Sequence, residues 1–413
     1  MSSRDQSDIS NTPVDYQSRD IDLKGVWLLV GGIILLSIVL RAPITIVGPI
    51  VEQIQNDLGL SGAAMGLLTT LPLLAFGLFS PFAPTAAAKY GLERTLLFAT
   101  ILLTLAIIVR SLAGSAALFI GTVLIGAGIA FANVLLPSLV KRDFPERIGL
   151  MTGIYTVAMN LGAAVGSGFS YPLTVGFGIS WAGTLASCAV IALAATIVWV
   201  QLTKSSRRRT VDTISIAGSR SNGRGRVWGS TLAWMVSLFL ALQSFCFYVN
   251  VTWIPTILAD KGLSHTSAGW MLSLMQVISM GSTFIVPIVA GKQKSQRGLA
   301  LLMAAMFVAG YVGLLVGSAG FVIPVMILLG LGVGGGFGLA VMFFALRAST
   351  SEISAKLSGM AQSVGYLLAA TGPFLFGYLH DRTGSWTWPL IVIIIVSIAY
   401  GIVGLWAGAD KKI

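Results

Sequence analysis

Long apolar runs dominate this chain and leave it one kind of fold. Twelve stretches of roughly 18 to 27 residues carry almost no formal charge, and that is the length a helix needs to cross a hydrocarbon layer. They fall at 26–50, 63–86, 95–112, 118–140, 149–173 and 179–200, then at 232–258, 267–290, 299–318, 321–346, 357–379 and 388–406. Only 10% of the 413 residues are charged, against about 25% in a soluble domain. Lipid accepts apolar side chains on every outer face, and a helix satisfies its own backbone there. The expected fold class is therefore an all-α integral membrane protein with twelve transmembrane helices. The 48 glycines fit that reading, because many lie inside the runs, as in Gly332-Val333-Gly334-Gly335-Gly336. Small residues let helices approach closely where packing drives their association.

Basic residues set the orientation. With the amino terminus inside, Arg110, Lys261 and Arg382 fall outside and Arg41 within a span, leaving 22 of the 26 Lys and Arg on inner loops and tails. Both termini are then cytoplasmic. The net charge of +11 follows this topology, so nucleic acid is not an expected partner. Cys188 and Cys246 lie in predicted spans and read as buried free thiols, and no metal or other cofactor is expected. The first apolar run follows a polar stretch and is too long for a signal-peptide core.

Five segments follow. Residues 1–24 read as a disordered cytoplasmic tail. Residues 25–202 and 231–408 are two six-helix bundles, joined by a basic cytoplasmic linker at 203–230. Residues 409–413 form a short tail. The bundles are repeats. A shift of about 206 residues sets Gly126, Gly128, Phe131 and Lys141 on Gly332, Gly334, Phe337 and Arg347. Gly153 then meets Gly359 and Gly166 meets Gly372, while Gly59-Leu60-Ser61 pairs with Gly262-Leu263-Ser264. Parallel six-span repeats imply a substrate held between the halves near midplane.

Arg41 is the main functional candidate. It lies about fifteen residues into the first span, beyond midplane at about 1.5 Å per residue. A charge at that depth costs roughly 2.5–3.5 kcal/mol on insertion scales, so it faces a cavity or the bundle interior. Guanidinium keeps its proton and offers a planar fork of donors, which suits a carboxylate, a small anion or a nitro group. Deep Asp and Glu are missing from the spans, so no proton-carrying carboxylate is expected. Other polar or aromatic span residues are candidates for contacting substrate: Asn133, Tyr248, Asn250, Trp253, Gln276, Gln362 and Tyr366. The cluster Lys141, Arg142, Asp143, Glu146 and Arg147 reads as an inner gate built from charge pairs.

At these residues the chain resembles the cyanate transporter and 2-nitroimidazole transporter family of bacteria, a branch of the major facilitator superfamily. Leu40-Arg41, Gly66-Leu67-Leu68-Thr69-Thr70-Leu71-Pro72 and Asn133-Val134-Leu135-Leu136-Pro137 carry the likeness. So do Lys141-Arg142-Asp143-Phe144-Pro145, Trp253-Ile254-Pro255 and the run from Leu357 to Tyr366. The final Gly408-Ala409-Asp410-Lys411-Lys412-Ile413 is nearer the nitroimidazole branch. Lys89-Tyr90-Gly91-Leu92-Glu93-Arg94 resembles the superfamily's loop motif, with Ala88 where an Asp is usual. The resemblance implies a bacterial inner-membrane carrier working by alternating access, a monomer with a small-molecule substrate and membrane lipid as its partners. Efflux of nitroimidazole-like compounds is the first expectation. Uptake or exchange of cyanate or another small anion is the second, and a non-transporting sensor the third. An enzyme is not expected, because no nucleophile, metal site or carboxylate pair lies at midplane.

The topology is open to direct test. A reporter fused after Arg226 should behave as cytoplasmic and one inserted near Lys261 as periplasmic; the reverse pattern would end the twelve-span reading.

Overall fold

The computed structural model describes residues 23–60, 62–112, 114–210, 227–317 and 319–413, so the expected tail and most of the linker lie outside the described residues. The first span is broken into Leu23–Val39, Ala42–Thr45 and Val51–Leu58. The second is Gly62–Phe79 with Phe82–Tyr90, bent by 52°. The third to sixth are Leu92–Arg110, Ser115–Asp143, Ile148–Tyr171 and Trp181–Thr210. The seventh to tenth are Thr231–Asp260, His265–Gly291, Arg297–Val316 and Val322–Leu346. The eleventh is Ser351–Ala369 with Thr371–Thr383, and the twelfth is Thr387–Ala407.

Among the described residues, ten helices are long and apolar enough to cross a membrane, or eleven if the bent second span counts as one. The eleventh span makes up the remaining crossing. Its Ser354, Ser358, Gln362 and Ser363 lower its apolarity, yet all four are buried by neighbouring helices rather than exposed to lipid. One boundary differs from the sequence expectation. The sixth helix runs to Thr210, inside the segment expected as linker, because helical hydrogen bonding continues beyond the end of the apolar run.

Packing follows the repeat. In the first half the third span packs on the fourth and sixth, the second on the fourth, and the first on the fifth and sixth. In the second half the ninth packs on the tenth and twelfth, the eighth on the tenth, and the seventh on the eleventh and twelfth. Each half also ties down its entry helix in the same way. Trp181 Nε1 donates to Asp57 Oδ2 at 2.6 Å, and Trp386 Nε1 donates to Asp260 Oδ2 at 2.6 Å. Gly59 and Gly262 follow those helices with positive φ, 60° and 95°, which favours glycine.

The halves meet through the second span on the eleventh and the fifth on the eighth. Their close contacts cluster from midplane to the face that carries most Lys and Arg, here the basic face. Ser363 Oγ donates to the Gly77 carbonyl at 2.6 Å. A Cβ on Gly149 would meet the Pro287 carbonyl oxygen at 2.5 Å and Ile288 Cα at 3.2 Å, and one on Gly359 would meet the Ser80 carbonyl at 2.9 Å. This face is closed.

A side chain at Gly149 must therefore push the fifth and eighth spans apart. Gly149→Val should lengthen the distance between spin labels at Arg147 and Lys292 by several ångströms. An unchanged distance distribution would mean that this contact does not close the face.

Candidate functional site

The break in the first span aims Arg41. Pro43 has no N–H to bond Val39 and its ring crowds that carbonyl, so the helix ends at Val39 and restarts at Ala42. Neighbouring spans hold the break. Arg110, at the end of the third span, is 1% exposed, and its Nη1 donates to the Pro43 carbonyl at 2.5 Å. Thr45 Oγ1 donates to the Ala163 carbonyl in the fifth span at 2.9 Å. Gly162 and Gly166 let the fifth span close on this segment, since a Cβ on either would strike the backbone of Ile38 or Ala42.

From this break the Arg41 guanidinium reaches across to the second half. Its Cζ lies 5.9 Å from the ring centre of Phe247 and 5.6 Å from that of Phe337. Cation–π attraction of this kind is worth roughly 0.5–2 kcal/mol, depending on solvent. Tyr248 and Tyr366 lie within electrostatic range. Among the described residues the guanidinium has no hydrogen-bond or carboxylate partner, so its five donors remain available. Glu52 lies on Val51–Leu58, but its side chain lies outside the described residues.

Phe337 and Tyr366 also line a small cavity of about 10 Å³ between the halves, room for a single water, together with Asn133, Tyr155, Met159, Leu240, Val341, Phe344 and Gln362. The cavity joins the fourth and fifth spans to the seventh, tenth and eleventh. Arg41, Asn133, Tyr248, Gln362 and Tyr366 are thus brought to one region. Asn250 is not, for it is buried and accepts from the Tyr311 hydroxyl at 2.8 Å inside the second half. Trp253 braces the seventh span against the eleventh, with Nε1 donating to the Pro373 carbonyl at 2.9 Å. Gln276 is exposed on the eighth span, away from the cavity lining. Phe337, Tyr155 and Met159 escaped the sequence reading. Phe337 stood in the repeat opposite Phe131, the one signal that marked it.

Beneath the cavity, the expected gate cluster divides into two parts. Lys141 Nζ crosses between the halves and donates to the Ala345 and Ala348 carbonyls, at 2.6 and 2.7 Å. It thereby holds orphan carbonyls at the end of the tenth span. Arg142 stays within the first half, bridging Asp143 at 2.8 Å and Glu93 at 2.7 Å. Glu93 thus ties the start of the third span to the end of the fourth. Glu146 and Arg147 are exposed and form no ion pair with each other. Of the charge pairs expected in this cluster, Arg142 with Asp143 forms, and the contact that crosses between the halves is a cation on backbone carbonyls. Arg347, at the position that repeats Lys141, stays in its own half, on the Ala407 carbonyl at 2.9 Å and on Gln296. Burial lowers its pKa to about 10 while Asp410 opposes the shift, so it remains charged at neutral pH.

Residues 33–373 match the sequence profile of the Major Facilitator Superfamily. The chain belongs to that superfamily. It is 41% identical over 392 residues to an uncharacterized transporter, YycB, of Bacillus subtilis (strain 168), covering 95% of this chain and 96% of that protein. It is also 41% identical over 396 residues to the 2-nitroimidazole transporter of Escherichia coli (strain K12), covering 96% and 99%. The solved proton:xylose symporter XylE, bound to 6-bromo-6-deoxy-D-glucose, superposes with a TM-score of 0.72 at 13% identity. That match covers 94% of this chain and 98% of the symporter, and at such identity it speaks for the fold alone. The chain is a multi-pass secondary transporter of the superfamily, and not an enzyme.

The Lys141 bridge has a measurable consequence. Bonds from a charged donor contribute about 1.5–3 kcal/mol each, so Lys141→Met should loosen the basic face. A thiol reagent applied from that face should label Val341→Cys several-fold faster in the Lys141→Met background. An equal rate would assign closure to the helix contacts alone.

Proposed function

We propose that this transporter exports small flat compounds of the nitroimidazole type across the bacterial inner membrane, by alternating access around Arg41. The carrying observation is the guanidinium between Phe247 and Phe337, at the boundary of the two halves, with no hydrogen-bond or carboxylate partner among the described residues. A donor fork held between aromatic rings suits a flat molecule with a nitro or carboxylate group. The 41% identity to a 2-nitroimidazole transporter along nearly the whole chain supports the same substrate type. The basic face is cytoplasmic by the positive-inside rule. A closed basic face makes this an outward-facing arrangement, and substrate bridging Arg41 to the second half would lower the cost of rocking. Lys141 releases its carbonyls when the cavity turns inward.

A second reading has its own support. A permanent cation with no carboxylate partner among the described residues also fits a small inorganic or organic anion such as cyanate, taken up or exchanged.

Transport by wild-type and variant protein in proteoliposomes tests the proposal. Arg41→Gln should reduce movement of 2-nitroimidazole at least a hundred-fold while the protein still inserts and purifies. Arg41→Lys keeps the charge but loses the fork, and should fall at least ten-fold. Near-normal transport by Arg41→Gln would remove Arg41 from the site. Faster uptake of cyanate than of 2-nitroimidazole would favour the second reading.

A further inference from the structure

The bridge from Lys141 depends on where the Ala348 carbonyl points, and that carbonyl lies in a short link. Arg347 caps the end of the tenth span, and Thr350 caps the start of the eleventh, its Oγ1 accepting from the Ile353 N–H at 3.2 Å. Ala348 and Ser349 lie between the two helices, where no helical ladder fixes the backbone. Residues 409–413 supply the missing partner. The Ile413 N–H donates to the Arg347 carbonyl at 2.8 Å, and the Ser349 N–H donates to the Ile413 backbone oxygen at 3.3 Å. These two bonds flank Ala348 as in a parallel strand pair, where the middle residue turns its own carbonyl the other way. On that other side stands Lys141 Nζ, 2.7 Å from the Ala348 oxygen.

The segment is itself anchored. Ile413 is 5% exposed and Ala409 6%. The twelfth span ends at Ala407, and Gly408 presses on the start of the ninth, since a Cβ there would meet the Arg297 nitrogen at 2.9 Å and the Gln296 carbonyl carbon at 3.0 Å. The Gln296 N–H and Ser295 Oγ donate to the Gly408 carbonyl at 2.9 and 3.1 Å. With Arg347 on the Ala407 carbonyl, the ninth, tenth and twelfth spans are knit into one block on the basic face. Lys412 stands within electrostatic range of Lys141, so like charges oppose each other across the seam. The carbonyls that receive Lys141 have to outweigh that repulsion, which makes their aim matter.

We propose that Ile413 is a positioning residue of the inner gate: by pairing with Arg347 and Ser349 it turns the Ala348 carbonyl toward Lys141, and the docking of residues 409–413 thereby sets how firmly the basic face closes. Undocking frees the link between the tenth and eleventh spans. Lys141 then loses one of its two acceptors, and the face opens more readily. The inference concerns closure alone and holds whichever compound Arg41 receives.

Thiol labelling from the basic face tests this on the full-length protein, with Val341→Cys as the reporter. Ile413→Pro removes the N–H that Arg347 receives, and Ile413→Asp puts a charge into the buried seat of the side chain. Each should raise the labelling rate several-fold, toward the rate of Lys141→Met. Ile413→Val keeps an apolar side chain and both backbone bonds, and should label at the wild-type rate. In the Lys141→Met background neither disruptive change should add appreciably, because the cation that uses the carbonyl is gone. Two disruptive variants are used so that one misfolded protein does not decide the outcome. Wild-type rates in both, with faster labelling in Lys141→Met alone, would overturn the role of Ile413 and leave the Lys141 bridge intact. Equal increases with and without Lys141 would also overturn it, since residues 409–413 would then act on helix packing and not through Lys141.

Discussion

A cation with no carboxylate partner among the described residues, held at the seam of two helical bundles, is the constraint around which this structure is arranged. Placing a guanidinium inside a membrane protein is costly unless water, rings or a ligand surround it. Here Phe247 and Phe337 supply the rings, from the half opposite to the one that carries Arg41. The cation therefore belongs to both halves, and whatever binds it is sensed by both. That is the property a carrier needs if its occupied cavity is to rock as one unit.

The position of Arg41 is built by backbone geometry more than by side-chain pairing. Pro43 breaks the helix, and Gly162 and Gly166 admit the broken segment. Arg110 ties down the Pro43 carbonyl while its Nε and Nη2 stay buried and without partners. The second half uses the repeat of this joint differently. Gly372, opposite Gly166, admits Phe245 and Val249 of the seventh span, and that span turns Phe247 toward the cation of the first. Divergence between the copies at this level turns a symmetric scaffold into an asymmetric site. The same divergence appears on the basic face, where Lys141 crosses to the other half and Arg347 does not.

Much of this was legible in the sequence. Apolar length gave the spans, and glycine register gave the repeat. A single deep Arg among apolar neighbours pointed to the seam of the halves, because a charge at that depth needs a cavity or a partner around it. The gate was only half legible. The acceptors for Lys141 are the carbonyls of Ala345 and Ala348, and a carbonyl has no residue signature. The sequence thus suggested charge pairs that the fold keeps within one half. Polarity alone also failed to sort Asn250 and Gln276 from Asn133 and Gln362, since all four are amides in apolar helices. Which way each one faces depends on neighbouring helices, and the near-uniform apolarity of these spans erases the stripe that would give their rotation. Tyr155 and Phe337 were hidden for the same reason.

The most direct measurement is an experimental structure of the full chain with a nitroimidazole or aromatic carboxylate bound. The account predicts the acceptor group of the ligand about 3 Å from the Arg41 guanidinium, with the ring against Phe337 and Tyr366. A ligand bound elsewhere, with Arg41 paired to a protein carboxylate, would contradict it.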